Sequence, residues 1–383
     1  MKIIKWLLIC AVFLSVQSCK DKKTSNSRRH SVDQKVDSLK YAEGFSITEE
    51  DGYKLVTIRN PWQGADNVEY KYAVTEPGSS DPTVDNKTVV IKTPIKKVVC
   101  LSTTHIAFLD VLNETKSVVA VSGTKYVNNE ELRKKINRKE VYDVGYDSNL
   151  NYEIIASLNP DLVITYGVGG QVAGYNQKLN DLGIQTIIIA EYLENHPLGK
   201  LEWIKLLGEF YGKRKQADVY FETIEKEYHS LIQLTDSTKN KPKVLFGLPW
   251  KDVWHVPGGE SYLARMVKDA GGNYIWSNND SHESLPFGAE AIFAQASDAE
   301  VWLNTGSVNS KEDILKIDER LINFKPFHES KIYNNNLRVN GYGGHDYWEK
   351  GLVQPHIILK DMIHIIHPEI LPEHELEYYK KIQ

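Results

Sequence analysis

The 383-residue sequence has only three cysteines, and they cannot form a disulfide framework. Cys10 lies within a predicted secretion signal and Cys19 at its end, which leaves Cys100 without a partner. Cys100 follows Val98 and Val99 in a short apolar run, so we expect a buried structural thiol there. Because no covalent cross-link is available, the stability of the fold must come from its hydrophobic core.

Catalytic motifs are also missing from the chain. The sequence contains no G-x-S-x-G nucleophile turn, no H-E-x-x-H zinc motif and no P-loop. A hydrolase could still arise if two carboxyl groups faced each other across a cleft, but nothing in the sequence sets such a spacing. We therefore predict a binding protein and not an enzyme, with a cleft hydrolase as the alternative from another class.

The charge balance excludes a further class of partner. A net charge of −5, with no basic face interleaved with aromatic residues, gives no reason to expect nucleic acid. An apolar content of 41% and a charged content of 25% are typical of a soluble globular chain, which we expect to be a monomer. The 21 Tyr and 8 Trp against 10 Phe suit a binding surface, because these rings combine apolar faces with a polar group.

The first twenty residues predict export and lipidation. Lys2 and Lys5 precede the apolar run Trp6–Val16, which is too short for the ~20 residues that span a bilayer. The run ends at Ser18-Cys19, a pattern typical of a lipoprotein signal. We expect residues 1–18 to be a signal peptide and Cys19 to carry the lipid that anchors the protein in the cell envelope, facing the periplasm. A plain signal peptide, or export to the cell surface, is the alternative.

The rest of the chain divides by its hydrophobic pattern. Short alternating runs at Tyr53–Ile58 and Val68–Val74 predict a β-hairpin, and strands then alternate with helices, which indicates parallel βα units. Leu198–Leu234 has apolar residues at helical spacing, although Gly208 and Gly212 could interrupt it. The predicted fold is α/β, with two lobes of mostly parallel sheet flanked by helices and joined by one long helix. The predicted segments are a lipidated flexible tether (19–43), a β-rich extension (44–95), an N-terminal α/β lobe (96–196), a lobe-spanning helix (197–236) and a C-terminal α/β lobe (237–383).

Four segments resemble the periplasmic binding proteins for iron–siderophore complexes and vitamin B12. They are Lys97–Thr104, Asp143–Gly145 with Asn151–Ile164, Gly199–Ala217, and Glu290–Phe293 with Asp298–Trp302. The likeness spans residues 96–370, and the extension before it has no counterpart in the usual pattern. The resemblance implies two rigid lobes around a ligand cleft, a helix as hinge, and an ABC permease and ATPase complex as partner. It also implies that Glu153 and Glu290 dock onto that permease, although each could simply complement a helix dipole.

Candidate ligand-binding residues follow from the position of the strands. Ligands of open α/β sheets lie beyond the carboxyl ends of the strands. Lys125 follows the second strand and Pro249 another, while glycine-rich turns precede or follow several of the other candidates. An ordinary core tryptophan, a capped helix or a surface turn is the alternative for these positions. The predicted ligand-binding residues are Thr103, Thr104, Tyr126, Tyr166, Trp250, Trp254, Ser261, Tyr342 and Tyr347, with Ser102 beside the first two.

Histidines offer only weak candidates for metal contact. His105, His255 and His345 fall in three different predicted cleft loops and could touch a haem or a chelated metal. His364 and His367 are three apart on a predicted helix, but no third ligand is spaced to complete a site, so we expect hydrogen-bonded histidines at a helix end. We predict no cofactor and no metal held directly by the protein.

The expected ligand is a metal chelate bound between the lobes. A ferric siderophore with anionic donors would favour Lys or Arg in the cleft, and Lys125 and Lys251 favour it slightly. Cobalamin would favour aromatic faces and few charges, as Trp250, Trp254 and Tyr166 would supply. Haem is the third candidate. The sequence predicts iron–siderophore capture, with corrinoid and haem binding as alternatives in the same role.

Overall fold

The computed structural model describes residues 39–146 and 149–383. The predicted signal peptide, Cys19 and most of the predicted tether lie outside these residues. The described chain begins with a four-stranded sheet in the order β1-β2-β3-β4, whose first three strands are antiparallel and whose fourth runs parallel to the third. The strands are β1 (Phe45–Glu50), β2 (Tyr53–Arg59), β3 (Glu69–Thr75) and β4 (Thr88–Lys92).

Five parallel strands form the sheet of the N-terminal lobe, in the order β7-β6-β5-β8-β9. Val, Ile and Leu dominate the central strands, which are buried on both faces because helices cover the sheet from both sides. Cys100 is fully buried and free, as expected. The elements are β5 (Val98–Cys100), α1 (Thr103–Val111), β6 (Val118–Val121), α2 (Glu130–Asn137), β7 (Tyr142–Asp143), α3 (Tyr152–Leu158), β8 (Leu162–Thr165), α4 (Gln171–Asp181) and β9 (Thr186–Ile188).

Three consecutive helices occupy the predicted lobe-spanning segment. The helices are α5 (Pro197–Glu202), α6 (Ile204–Phe210) and α7 (Arg214–Thr235). Gly212 has a φ of +63°, a left-handed conformation that suits glycine and separates α6 from α7. The long helix expected here is present as α7, with 22 residues, and two short helices precede it.

The C-terminal lobe has a mostly parallel sheet in the order β12-β10-β14-β15-β16, closed by an antiparallel last strand. A separate antiparallel pair, β11 with β13, lies beside it. The elements are β10 (Lys243–Phe246), β11 (Val253–Val256), α8 (Tyr262–Asp269), β12 (Asn273–Tyr274), β13 (Leu285–Gly288), α9 (Ala289–Ala296), β14 (Val301–Leu303), α10 (Lys311–Ile317), α11 (Lys325–His328), β15 (Ile332–Asn334), α12 (Pro355–Ile366) and β16 (Lys380–Lys381).

One hydrophobic cluster runs through all of these parts. It includes Ile58 of the extension, Ile187 of the N-terminal lobe, Trp203 between α5 and α6, and Trp302 of the C-terminal lobe. Within residues 39–146 and 149–383, no helix is long and apolar enough to cross a membrane. The predicted α/β fold with parallel sheets flanked by helices is confirmed.

Candidate functional site

The carboxyl ends of the N-terminal strands present a row of small polar and aromatic side chains. Ser102 caps α1 by accepting a hydrogen bond from the amide of Thr104 at 3.3 Å, which fixes the chain directly after β5. Thr103 and Thr104 are half-buried at this helix start. Because all five strands are parallel, the residues that follow them meet at the same edge of the sheet.

Three tyrosines form the aromatic part of this edge. The ring centroids of Tyr126 and Tyr146 are 6.2 Å apart, and Tyr166 lies beside Tyr146 around a shallow pocket. Gly123, with a φ of +68°, is required here, because a Cβ at this position would overlap the Tyr146 hydroxyl. The structure therefore brings the predicted Tyr126 and Tyr166 into one aromatic surface, which also contains Tyr146.

A buried polar group lies where β9 leads into α5. Glu191 is buried, and its Oε2 atom has no hydrogen-bond partner among the described residues. Burial raises the pKa of Glu191, against the smaller opposing effects of the Thr104 hydroxyl and the Lys200 ammonium. Lys200 Nζ donates to the carbonyl oxygens of Tyr192 at 2.6 Å and Glu191 at 3.2 Å, and burial lowers its pKa to about 8. We name Glu191 and Lys200 the polar base; it combines a buried carboxyl oxygen without a described partner and an ammonium that is held by two carbonyl oxygens.

His105 follows Thr104, whose hydroxyl interacts with Glu191, in the first turn of α1. Its side chain is fully buried, neither ring nitrogen has a hydrogen-bond partner in the described chain, and burial lowers its pKa to about 3. The imidazole is therefore neutral at pH 7, and its ring meets the Tyr166 ring edge-on at 6.4 Å between centroids. Buried polar atoms without partners cost about 1–3 kcal/mol each, so the burial of this ring opposes folding.

The two lobes also contact each other directly. The carboxylate of Glu349 accepts hydrogen bonds from the backbone amides of Asn128 at 2.8 Å and Asn129 at 2.7 Å. The Asn340 side chain donates to the carbonyl oxygens of residues 125 and 127, and a Cβ on Gly344 would overlap the Tyr126 carbonyl oxygen. The two predicted loops, one after β6 and one before α12, are thus brought together as an interlobe contact. Burial raises the pKa of Glu349 to about 7.

Two predicted aromatic residues of the C-terminal lobe are accessible to a ligand. Trp250, directly after the β10 segment, is 69% exposed, and the Lys251 ammonium lies 4.4 Å from its ring centroid. Tyr342 is 63% exposed in the glycine-rich loop that carries the interlobe contact. Both positions stay predictions for ligand contact.

Three other predicted residues of this lobe are buried. Trp254 is fully buried, because it faces inward from β11, stacks on Trp302 and donates to the Phe246 carbonyl oxygen. Ser261 accepts a hydrogen bond from the Ala264 amide and serves as the N-cap of α8. Tyr347 is only 2% exposed and packs against other tyrosines. None of these side chains offers a face to a ligand in this conformation.

The histidines do not converge. His255 is exposed on β11 and His345 is half-buried in the interlobe loop, whereas His105 lies in the first turn of α1. His364 and His367 form hydrogen bonds to the carbonyl oxygens of Leu371 and Gly271, as expected for histidines at a helix end. Among residues 39–146 and 149–383, no group of three or more His, Cys, Asp or Glu is placed to hold a metal ion.

A large cavity lies beside the connection between β9 and α5, and none of the predicted ligand-binding residues lines it. Its volume is about 950 Å³, and its lining includes Ala190 and residues 193–196 but neither Glu191 nor Lys200. Residues of α8 and of the segment before it form the opposite wall, and residues of the extension also line the cavity. The charged side chains of the lining are five basic and three acidic, namely Lys40, Arg59, Lys241, Arg265, Lys268, Glu43, Glu194 and Glu260.

The two predicted docking residues occupy equivalent places in the two lobes. Glu153 is exposed in the first turn of α3, and Glu290 is exposed in the first turn of α9. Each helix leads into a parallel strand of its lobe, so both first turns lie at the carboxyl edge of their sheet. Glu290 Oε1 is 3.2 Å from Arg320 Nη1, which gives this glutamate an ion pair within its own lobe.

Sequence reasoning missed several residues of this site. Tyr146 and Glu191 follow β7 and β9, so the rule that identified Tyr126 and Tyr166 could have found them. Lys200 lies in the first spanning helix, where an amphipathic pattern gave no reason to single it out. The contact of Glu349 with residues 128–129 joins positions more than 200 apart in the chain and has no local signal.

Known proteins resemble this chain in sequence and in structure. The sequence model of the periplasmic binding protein family matches residues 98–326. An uncharacterized lipoprotein of Methanocaldococcus jannaschii is 26% identical, over 98% of this chain and 94% of that protein. A possible iron-binding, periplasmic solute-binding protein of Staphylococcus epidermidis superposes with a TM-score of 0.57 at 15% identity, covering 72% of this chain and 100% of that chain. A periplasmic heme-binding protein of Pseudomonas aeruginosa superposes with a TM-score of 0.56 at 15% identity, covering 76% of this chain and 98% of that chain.

The family match covers more than half of the chain, and it begins at the first strand of the N-terminal lobe. The two sheets and the helix α7 agree with the solved folds, so the resemblance seen in the sequence is confirmed. The chain belongs to the periplasmic binding protein family, and it is a solute-binding protein, not an enzyme.

Proposed function

We propose that this protein is the solute-binding subunit of an ABC importer and captures a large metal chelate, with an iron–siderophore complex as the first candidate. The observation that carries the proposal is the cavity of about 950 Å³ beside the connection between β9 and α5. Its volume lies within the range of pockets that bury an organic ligand. Its charged lining residues are five basic and three acidic, an excess of positive charge that favours a ligand with anionic groups.

Cobalamin is the second candidate in the same role. The exposed rings of Trp250 and Tyr342, and the tyrosine surface that includes Tyr166, would suit a corrinoid because flat apolar faces can pack on a macrocycle. The loss of Trp254 to the core weakens this candidate, since that residue was part of the aromatic argument.

Haem is the third candidate. The Pseudomonas aeruginosa neighbour is a heme-binding protein, and likeness of fold extends to this chain. His105 has an imidazole without a hydrogen-bond partner among the described residues, but its complete burial means that α1 would have to shift before the ring could reach an iron. The geometry thus supports a siderophore before a haem.

The proposed partner is an ABC permease with its ATPase. Glu153 and Glu290 lie on the cleft side of the two lobes, one in each, so that a two-subunit permease could contact both. Lipidation of Cys19 would keep the protein at the periplasmic face of a membrane, and the lipoprotein name of the Methanocaldococcus jannaschii relative supports this anchor. The docking role and the anchor belong to the proposal.

The test is a titration of the chain from residue 20 onward, which contains the whole compact unit 35–383. Tryptophan fluorescence would be followed while ferric siderophores of the hydroxamate, catecholate and carboxylate classes, cyanocobalamin and haemin are added separately. We expect saturable quenching by one ferric siderophore, with correction for absorbed light, and a dissociation constant of about 1 μM or tighter.

Two controls make the titration decisive. Trp250→Phe removes the exposed indole, so it should reduce the quenching amplitude if Trp250 contacts the ligand, while calorimetry still detects binding. The metal-free siderophore should bind more weakly than its ferric form. Saturation by cyanocobalamin or haemin alone would make that compound the proposed ligand in place of a siderophore. If no probe saturates the protein, the metal-chelate proposal is overturned.

A further inference from the structure

The β-rich extension lies outside the family match, yet it is built into the site. The backbone amides of Lys40, Tyr41 and Ala42 donate to the buried Glu202 carboxylate at 2.8–3.0 Å. The amides of Glu43 and Gly44 donate to the Glu194 carboxylate at 3.0 Å. We name residues 40–44 the strap. Because its amides are held by two carboxylates of the α5 region, the extension has a fixed position on the lobes.

Side-chain packing attaches the sheet of the extension to the N-terminal lobe. Val56 and Ile58 of β2 are fully buried in the common core. The side-chain amide of Gln185 donates to the Val90 carbonyl oxygen of β4 at 2.6 Å. The Lys54 ammonium forms an ion pair with the carboxylate of Glu209 in α6 at 2.7 Å. The extension is thus a rigid part of the lobe, and its loops have defined places.

One of these loops meets the carboxyl edge of the N-terminal sheet. We name residues 60–68, between β2 and β3, the Trp62 loop. The amide of Gln63 donates to the Val168 carbonyl oxygen at 3.2 Å. The Trp62 indole covers Gly170, where an added Cβ would lie 3.6 Å from Nε1. The Tyr192 hydroxyl donates to the Gly167 carbonyl oxygen at 2.8 Å and lies next to the Gln63 amide.

The segment that these contacts hold is rich in glycine. Residues 166–170 follow β8 and consist of Tyr166, Val168 and three glycines. Glycine loses more conformational freedom on ordering than any other residue, so outside contacts largely determine the conformation of such a segment. Tyr166, which faces His105, depends on this segment for its place.

The cavity of about 950 Å³ has its third wall in the extension. Arg59 and Asn60, which lead into the Trp62 loop, line it together with Lys40 and Tyr41 of the strap. The other walls come from the β9–α5 connection and from α8 with the segment before it. The extension therefore borders the cavity on one side and holds residues 166–170 on the other.

We propose that the extension is a third wall of the ligand cleft, in which Trp62 is a positioning residue that holds residues 166–170 against the N-terminal lobe. The ligand-binding role of this wall rests on the proposed function, whereas the holding of residues 166–170 does not. Loss of the indole should loosen that segment and speed the escape of a bound chelate, without unfolding the lobe.

Hydrogen–deuterium exchange of the chain from residue 20 onward tests the holding directly. Trp62→Ala should accelerate exchange of peptides covering residues 166–173 by about fivefold or more, with peptides of α8 and α12 unchanged. Trp62→Phe should restore most of the protection, since a ring still covers Gly170. Tyr53→Ala, at the other end of β2 about 20 Å away, is the matched control and should leave this segment unchanged.

The outcomes separate this inference from the proposed function. Unchanged exchange in Trp62→Ala, or an equal increase in Tyr53→Ala, would overturn the proposal that Trp62 holds residues 166–170. If the exchange differs as expected, stopped-flow release of the saturating probe from the titration should be about fivefold faster in Trp62→Ala than in Trp62→Phe. Equal release rates would overturn the role of the wall in ligand retention. If no probe saturates the wild type, the proposed function fails. The exchange result still decides whether Trp62 holds residues 166–170.

Discussion

The two lobes share a βα plan but use their aromatic residues differently. In the N-terminal lobe, Tyr126, Tyr146 and Tyr166 follow strand ends and form a surface at the carboxyl edge. In the C-terminal lobe, the rings of Trp254, Trp302 and Phe324 stack on one another in the core, with centroids 5.3–6.0 Å apart.

The difference shows that position relative to a strand decides what an aromatic residue does. Trp254 lies within β11, whose side chains are alternately exposed and buried. Trp254 occupies one of the buried positions, so its side chain points inward. Trp250 lies four residues earlier, outside the strand, and is mostly exposed. Composition alone cannot distinguish two tryptophans this close together, but the strand boundary between them does.

The largest expected effect concerns the buried member of this pair. Trp254→Ala should lower the free energy of unfolding by about 3–5 kcal/mol, because it leaves a cavity between Trp302 and Phe324. Urea denaturation, followed by circular dichroism, measures this free energy of unfolding. Trp250→Ala is the matched control and should change that free energy by less than about 0.5 kcal/mol. Similar losses in both variants would contradict the distinction.

The next effect concerns the interlobe contact and its pH dependence. Burial raises the pKa of Glu349 from 4.5 to about 7, so the folded protein holds this proton more tightly than the unfolded chain. The contribution of Glu349 to stability should therefore be fully present below pH 4.5 and be lost as the pH rises through about 7, a change of at most about 3 kcal/mol.

Glu349→Gln removes this titration. Its free energy of unfolding should exceed that of the wild type increasingly between pH 5 and 8, as measured by urea denaturation at each pH. Glu373→Gln, at an exposed position, should follow the wild-type curve. If Glu349→Gln and the wild type instead gave parallel curves, the raised pKa would be wrong.

The effect on ligand affinity should be smaller and equal in the two lobes. Trp250→Ala and Tyr166→Ala should each weaken binding of the saturating chelate by about tenfold, equivalent to the loss of one ring contact. Isothermal titration calorimetry measures the dissociation constant of each variant. Trp254→Phe is the control, because it keeps the core filled. An effect of Trp254→Phe as large as that of Trp250→Ala would show that the buried tryptophan takes part in binding.

The smallest effect concerns docking. Glu290 is paired with Arg320, whereas Glu153 has no such pair among the residues described. Arg320→Ala should free Glu290 and strengthen docking to the permease about two- to fourfold, as judged by half-maximal stimulation of its ATPase. Glu290→Gln and Glu153→Gln should both weaken it, with ligand affinity unchanged. Stronger docking with Glu153→Gln would exclude that residue from the contact.

Much of the fold could be predicted because its elements have local signals. The sequence pattern predicts a helix at Ala289–Ala296 and a strand at Val301–Leu303, and α9 and β14 have these bounds because the apolar runs are clearly delimited. The pattern also predicts a helix at Tyr175–Leu182, whereas α4 begins four residues earlier, at Gln171, because Gly174 weakened the helical pattern there. β7 and β16 have two residues each, too few to produce any periodicity.

The site could be predicted less completely. The rule of strand ends identified Tyr126 and Tyr166, which do share one surface, and the same rule failed for Trp254 because the strand β11 was not predicted. β11 pairs with β13, about thirty residues further on, so its existence depends on a distant partner. The role of the Trp62 loop depends on packing between segments a hundred residues apart, for which the sequence has no local signal.

The strap has a mechanical consequence. Any pull on the chain before Lys40 reaches the folded protein through the amides held by Glu202 and Glu194. Both carboxylates lie where the N-terminal lobe passes into the spanning helices. Tension in the proposed lipid tether would therefore load this junction first, and not the strand-end loops that include Tyr126 and Tyr166.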